Sequence, residues 1–299
     1  MGKPGGKQTP GKAEHLGDLA TKELEKGLYL TATPIGHARD VSLRALEVLA
    51  GVDLIAAEDT RVTSKLLSIH GIRKTLMPYN DHNAAQMRPQ LLAKLKSGGR
   101  IALVSDAGTP LVSDPGFKLV RAAIEEGIAV HAVPGASAVL AGLMLAGLPS
   151  DRFLFAGFLP ARAGERGAIL EELKNIRATL IFFESAQRLA ETLAQMEQAL
   201  GMRSAAVARE MTKLHEDVRR GTLSDLAAHY AKADTPKGEV TLLVGPPHAA
   251  KANFGKIDAA LDAALAFMPL RPASDMIAAL LDMPRKEIYA RGLEKKRGP

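Results

Sequence analysis

The sequence predicts two α/β domains of comparable size followed by a helical tail, and three observations carry that prediction. Between Gly27 and Val244, short apolar runs of strand length alternate with longer amphipathic runs, the pattern of mostly parallel sheets with helices on both faces. Gly- and Pro-bearing loops follow three of the strands, at Thr33 to Gly36, Asp106 to Pro110 and Pro134 to Ser137. Open α/β sheets place ligands at such carboxyl ends. Leu148-Pro149-Ser150-Asp151 interrupts the alternation and reads as a linker.

Met1 to Lys12 carries Lys, Gly, Pro and Gln without an acidic residue, and residues 1–26 read as a disordered basic arm. The first domain spans 27–148. Its strands are Leu28 to Thr31, Asp53 to Ala57, a short one near Leu76, Arg100 to Val104 and Ile128 to Val133. Its helices are Ser42 to Ala50, Thr60 to His70, about Met87 to Ser97, Phe117 to Glu126 and Ser137 to Ala146. The second domain, 149–247, has strands Phe153 to Gly157, Thr179 to Phe183, Ala205 to Ala208, an edge strand near Val218, and Glu239 to Val244. Helices Glu165 to Ile176, Gln187 to Leu200 and Ser224 to Ala231 separate them. Beyond Pro246-Pro247, residues 248–299 form a basic helical tail. There Ser274 to Leu281 and Pro284 to Arg291 read as a small helix-turn-helix or as an appendage packed on the body.

Composition narrows the function. An apolar fraction of 46% with 24% charged residues belongs to a globular protein, and no apolar stretch reaches the roughly 18 residues of a membrane span. The N-terminus lacks a secretory apolar core, and the absence of Cys fits a cytoplasmic enzyme without disulfides or thiolate metal sites. The eight His are scattered, so no metal site is expected. A net charge of +6 favours a polyanionic partner, while 4% aromatics without Trp argue against a base-stacking platform.

The chain is organised around Ser105 to Gly116. Asp114 as N-cap and Pro115 at the first helical position account for the end of this loop. They leave Asp106-Ala107-Gly108-Thr109-Pro110 unexplained, and that composition suits a small polar ligand. A dinucleotide fold would carry G-x-G-x-x-G after its first strand; T-P-I-G stands there instead, which argues against a Rossmann oxidoreductase.

Eight motifs stand in an order that resembles one family. They are Thr33 to Gly36, Ala57-Glu58-Asp59-Thr60-Arg61, Tyr79-Asn80-Asp81-His82-Asn83, the organising loop, Pro134 to Ala138, Phe158-Leu159-Pro160, Phe182-Phe183-Glu184 and Ala208-Arg209-Glu210-Met211-Thr212-Lys213. From Gly27 to about Glu294 the chain is similar to the ribosomal RNA small subunit methyltransferase I family, with His37 where Asn is common and Met211 where Leu is usual. The resemblance implies the tetrapyrrole methylase fold, with S-adenosylmethionine in a cleft between the two domains, and a homodimer. It implies 2′-O-methylation of a decoding-centre cytidine of 16S rRNA in the small subunit, position 1402 in standard numbering.

By that resemblance the cofactor-binding residues are Thr33, Pro34, Gly36, Asp106, Ala107, Gly108, Thr109, Pro110, Pro134, Gly135, Ser137, Ala138 and Phe158. Asp106 offers a carboxylate to the methionine ammonium, and for Ser137 a helix N-cap role stands as an alternative to the cofactor role, or beside it. A ribose hydroxyl is a weak nucleophile, so a base or a charge near the developing alkoxide would help. Glu58, Asp59, Arg61 and Glu184 are the catalytic candidates, with no base assigned among them. Arg61, His82, Asn83, Arg209 and Lys213 are the expected RNA contacts. Two rivals stay open: a corrin-ring methyltransferase of the same fold, and a non-catalytic RNA-binding module.

Overall fold

A computed structural model describes residues 24–113, 116–247, 254–281 and 283–297. The first sheet contains β1 (Gly27–Thr31), β2 (Leu54–Ala57), β3 (Leu76–Pro78), β4 (Arg100–Val104) and β5 (Val130–Val133) in the spatial order β3-β2-β4-β1-β5. All of its pairings are parallel. Parallel strands covered on both faces read as near-continuous apolar runs. Leu54 and Ala56 of β2 and Ile101 and Leu103 of β4 accordingly face one core, with α3 (Ala84–Lys96) and α4 (Phe117–Glu125). Ile55, Ala57, Ala102 and Val104 face the other, with α1 (Leu43–Gly51) and α2 (Thr60–Ile69).

The second sheet is mixed. It orders β6 (Phe153–Phe158), β7 (Thr179–Ser185), β10 (Glu239–Val244), β8 (Ser204–Arg209) and β9 (Asp217–Thr222), and only β6 with β7 runs parallel. One face packs on α6 (Ala163–Leu173), α7 (Leu189–Leu200) and α8 (Leu223–Tyr230). The other packs on α5 (Ala138–Ala146), whose Val139, Leu143 and Ala146 share a core with Ile181, Ala206, Ala208 and Leu243. The helix leaving β5 therefore covers the second sheet and joins the two halves.

Several boundaries differ from expectation. Leu24 packs against the first core and Glu25 accepts a hydrogen bond from Tyr29, so the last residues of the expected arm belong to the fold; residues 1–23 lie outside the described residues. Helix α3 starts at Ala84, three residues early, and contains Pro89. Gly116, at φ 131°, occupies the N-cap of α4 in place of Asp114, which with Pro115 lies outside the described residues.

The chain separates into two compact units, Met1–Pro246 and Pro247–Pro299. The second contains α9 (Phe254–Leu265), α10 (Leu270–Leu281) and α11 (Arg285–Arg297) around its own core of Ile257, Leu261, Ala273, Ile277 and Ile288. Sequence reading had anticipated only the latter two helices. No described helix is long and apolar enough to cross a membrane.

Candidate active site

Three loops at the carboxyl edge of the first sheet are tied to one another. Thr33 and Gly108 exchange backbone hydrogen bonds of 2.9 and 3.0 Å, the Thr33 hydroxyl donates to the Ser105 carbonyl at 3.2 Å, and that of Thr109 to Ala136 at 3.1 Å. The sequence suggested that the loops after β4 and β5 leave adjacent strands, but β1 lies between those strands, so its Thr33 loop sits at the centre. Gly108 adopts φ +78°, a conformation that a side chain disfavours.

A loop from the second sheet closes against this set. A Cβ on Gly36 would lie 2.6 Å from Thr212 Oγ1 and 3.0 Å from the Met211 carbonyl oxygen, so only glycine permits this approach. The His37 amide donates to Thr212 Oγ1 at 3.1 Å. Lys213 fastens the loop by donating to Glu210 at 2.9 Å and Glu239 at 3.1 Å. Burial pulls its ammonium down, but these hydrogen bonds outweigh it and leave the group above its ordinary value.

Between the loops lies a cavity of about 820 Å3. Ala107, Gly108, Thr109, Ser137 and Ala138 line it from the first half, and Phe158, Phe183, Glu184 and Met211 from the second. Among the described residues, the non-glycine residues with positive φ are Leu111, Ser113, Glu210 and Thr212, all on the two loops that bound it. Backbone strain of this kind, about 1–3 kcal/mol per residue, persists where surroundings over-determine the conformation, and it gathers at ligand sites.

Beside the cavity, linked to it through Asp106 and Ala107, stands an acidic corner. Asp106 accepts the Asp59 amide at 2.9 Å, and Glu58 Oε2 accepts the Asp106 amide at 3.3 Å. Burial pushes both Glu58 and Asp106 above the usual carboxylate range, with nearby carboxylates adding to it. Hydrogen bonds from Arg61 hold Asp59 down at about 2.

The Tetrapyrrole (Corrin/Porphyrin) Methylases family profile matches residues 27–227, and the profile of the RsmI C-terminal HTH domain matches 252–296. Ribosomal RNA small subunit methyltransferase I of Mesorhizobium japonicum is 51% identical over 280 residues, covering 93% of this chain and 95% of its own. The chain belongs to the ribosomal RNA small subunit methyltransferase I family. The protein of that name from Escherichia coli O157:H7 is 44% identical, over 90% of this chain and 95% of its own. Among solved structures the methyltransferase CobJ superposes with TM-score 0.57 at 20% identity, covering 74% of this chain and 94% of that one. Diphthine synthase does so with TM-score 0.58 at 18% identity, over 73% and 89%. At these identities the likeness is one of fold, and it agrees with the two-sheet architecture. The family makes the protein an enzyme, a methyltransferase.

Within this family frame the expected site residues divide. Ala107, Gly108, Thr109, Ser137, Ala138 and Phe158 line the cavity, and Ser137 does so without spending its hydroxyl on the α5 cap. Thr33, Pro34, Gly36, Asp106, Pro110, Pro134 and Gly135 stand behind or beside the lining. Glu58, Asp59 and Arg61 form the adjacent corner, outside the lining. Glu184 lines the cavity, but its buried carboxylate is occupied: it accepts from the Ser185 amide and the Thr192 hydroxyl at 2.7 Å each, and pairs with Arg188 at 2.5 Å. His82 is exposed, whereas Asn83 is spent inside its turn, accepting the Asn80 amide and donating to Pro78. Arg209 donates to the carbonyl of Lys237. Sequence reading missed the wall from Thr235 to Thr241 and the Ser185-Ala186-Gln187 turn. The only signal for the first was Pro236 and Gly238 ahead of a strand.

Glu58→Gln is expected to stabilise the fold at neutral pH. A carboxyl whose folded pKa lies above its unfolded value loses stability as pH rises from the unfolded value through the folded one. The amide removes that loss and still accepts from the Asp106 amide through oxygen. Melting temperatures of both proteins at pH 4 and pH 7 check this: the variant should gain on wild type only at the higher pH.

Proposed function

We propose that the chain transfers a methyl group from S-adenosylmethionine to the ribose 2′-hydroxyl of a cytidine in the decoding centre of 16S rRNA, position 1402 in standard numbering. Residues 27–148 and 149–247 are read as the two halves of the cofactor cleft. The observation that carries the reading is the cavity walled by tied, strained loops in a chain of this family. Its volume is of the size that small-molecule sites occupy. The exposed Phe158 ring, packed edge-on to Phe183 at 5.5 Å, offers an apolar wall, and Ser137 a hydroxyl not used in capping. A solved relative in fold, uroporphyrin-III C-methyltransferase from Thermus thermophilus, is described as complexed with S-adenyl homocysteine (TM-score 0.52, 17% identity). The bound cofactor supplies an electrophilic methyl on a sulfonium.

The chain's own residues then have to hold the acceptor oxygen in line and take its proton. Rigid loops suit the first task, because alignment alone is worth several powers of ten in rate. For the second, Glu58 is the best placed of the catalytic candidates. Among the described residues its Oε1 has no hydrogen-bond partner, whereas Asp59 is spent on Arg61 and Glu184 on Arg188 and Thr192. Arg61, 89% exposed, and the half-buried Lys213 are read as phosphate contacts at the rim. The enzyme is read as a cytoplasmic homodimer, with Leu140 and the exposed Met144 of α5 offering apolar surface.

Mass spectrometry of rRNA nucleosides, after reaction of the purified protein with undermodified small subunits, tests this. A methyl on the ribose of one cytidine is expected. A methyl on a base overturns the 2′-O assignment, and none from protein that binds the cofactor overturns the reading and favours a corrin-type substrate.

A further inference from the structure

The C-terminal unit carries a cleft of its own, about 500 Å3, lined by Arg271, Arg285, Lys286 and Tyr289. Arg271 stands in the first turn of α10; Arg285 and Lys286 open α11, and Tyr289 follows one turn later on the same face. The arrangement is fixed by the core beneath it. A Cβ on Gly292 would collide with Leu270 Cδ1, so this glycine lets α11 lie directly on the start of α10, and Leu270 and Ile288 are buried there.

The charge of this cleft is largely unanswered. Arg285 pairs with Asp275 at 2.5 Å, but among the described residues neither Arg271 nor Lys286 has a hydrogen-bond or ion-pair partner. Elsewhere in the unit Arg291 is held by Asp258 and Lys295 by Asp262. The first-turn amides of α11 add partial positive charge at the same place. Two free cations, a helix start and a partly exposed tyrosine ring thus converge on one concavity.

We propose that this cleft binds a single-stranded RNA segment, with a phosphodiester held by Arg271 and Lys286 and the neighbouring base stacked on Tyr289. A phosphate alone would leave the ring without a function, and a base inside a duplex does not offer its face to a side chain. One stacking residue rather than an array agrees with a chain in which aromatics make up 4%. The inference rests on the reading of RNA as substrate given above.

The test uses the full chain, undermodified small subunits, and RNA oligonucleotides in single-stranded and duplex form. Arg271→Gln with Lys286→Gln should flatten the dependence of log K on log salt for single-stranded RNA by about 0.7, the slope of one lost phosphate contact on a single strand. Tyr289→Leu should weaken single-strand binding about tenfold and Tyr289→Phe should restore it, as stacking requires. Cofactor affinity should not change in any of these variants. Should wild type fail to methylate RNA, the reading of function falls. If wild type methylates the subunit and the double variant keeps the wild-type slope, the cleft proposal alone falls. It falls too if Tyr289→Leu weakens duplex and single strand alike.

Discussion

Replacing Gly108 by valine is expected to cost the enzyme its affinity for S-adenosylmethionine, on the proposal that the cavity is the cofactor site. Gly108 sits at φ +78°, where a residue with a Cβ loses about 1–2 kcal/mol. Its Cβ would stand 3.3 Å from Ile35 Cγ2, and the branches of valine would press further on that side chain and on the Ala136 carbonyl 3.7 Å away. Both neighbours belong to the other two tied loops, so relief has to come from parting Thr33 from Gly108. Displacement by about 1 Å is enough to lower a rate roughly a hundredfold when alignment carries the reaction. Titration calorimetry with S-adenosylmethionine should show a collapse of affinity in a variant that still melts cooperatively. Gly108→Ala, which bears the φ cost with one carbon, should fall between. Unchanged affinity in a folded Gly108→Val protein would remove the cavity from consideration as the cofactor site.

Sequence alone set Gly108 in a loop whose composition suits a small polar ligand, whereas the structure adds two protein constraints, the backbone angle and the tie to Thr33. The limits of β4 and β10 were readable to the residue, because buried parallel and central strands are continuous apolar runs bounded by polar residues. Strand order was not readable. Alternation of strands and helices looks the same whether β1 lies beside β4 or beyond it, and it gives no sign that β8, β9 and β10 turn antiparallel. For the same reason α5, uniformly apolar, looked like one more cover for its own sheet. The acidic corner was found as a motif, yet its division of labour required coordinates. Asp59 and Glu58 are neighbours in sequence, yet burial raises the carboxyl of Glu58 while hydrogen bonds from Arg61 lower that of Asp59.

Arg166 carries the largest expected effect on stability, and nothing in the sequence distinguished it from an ordinary helical arginine. Its side chain is fully buried in α6, where it donates to Gln195 and Glu191 of α7 and to the carbonyls of Pro160 and Ala161. It is thus a clamp joining two helices to the chain that leaves Phe158 at the cavity wall. Arg166→Ala removes the whole clamp and leaves a void in place of a side chain that is among the largest fully buried ones of the described residues. Large-to-small changes in such positions cost about 2–5 kcal/mol, and the freed acceptors add to it unless water reaches them. Arg166→Met keeps much of the volume and loses only the donors, so it should be destabilised by less. Chemical denaturation should show a loss of about 3 kcal/mol for the alanine variant, with the methionine variant between it and wild type. Cofactor affinity should weaken in both, because Phe158 and Leu159 lose their anchor at Pro160. A loss in the alanine variant of no more than about 0.5 kcal/mol, the scale of an ordinary surface substitution, would mean that the clamp does not hold this wall.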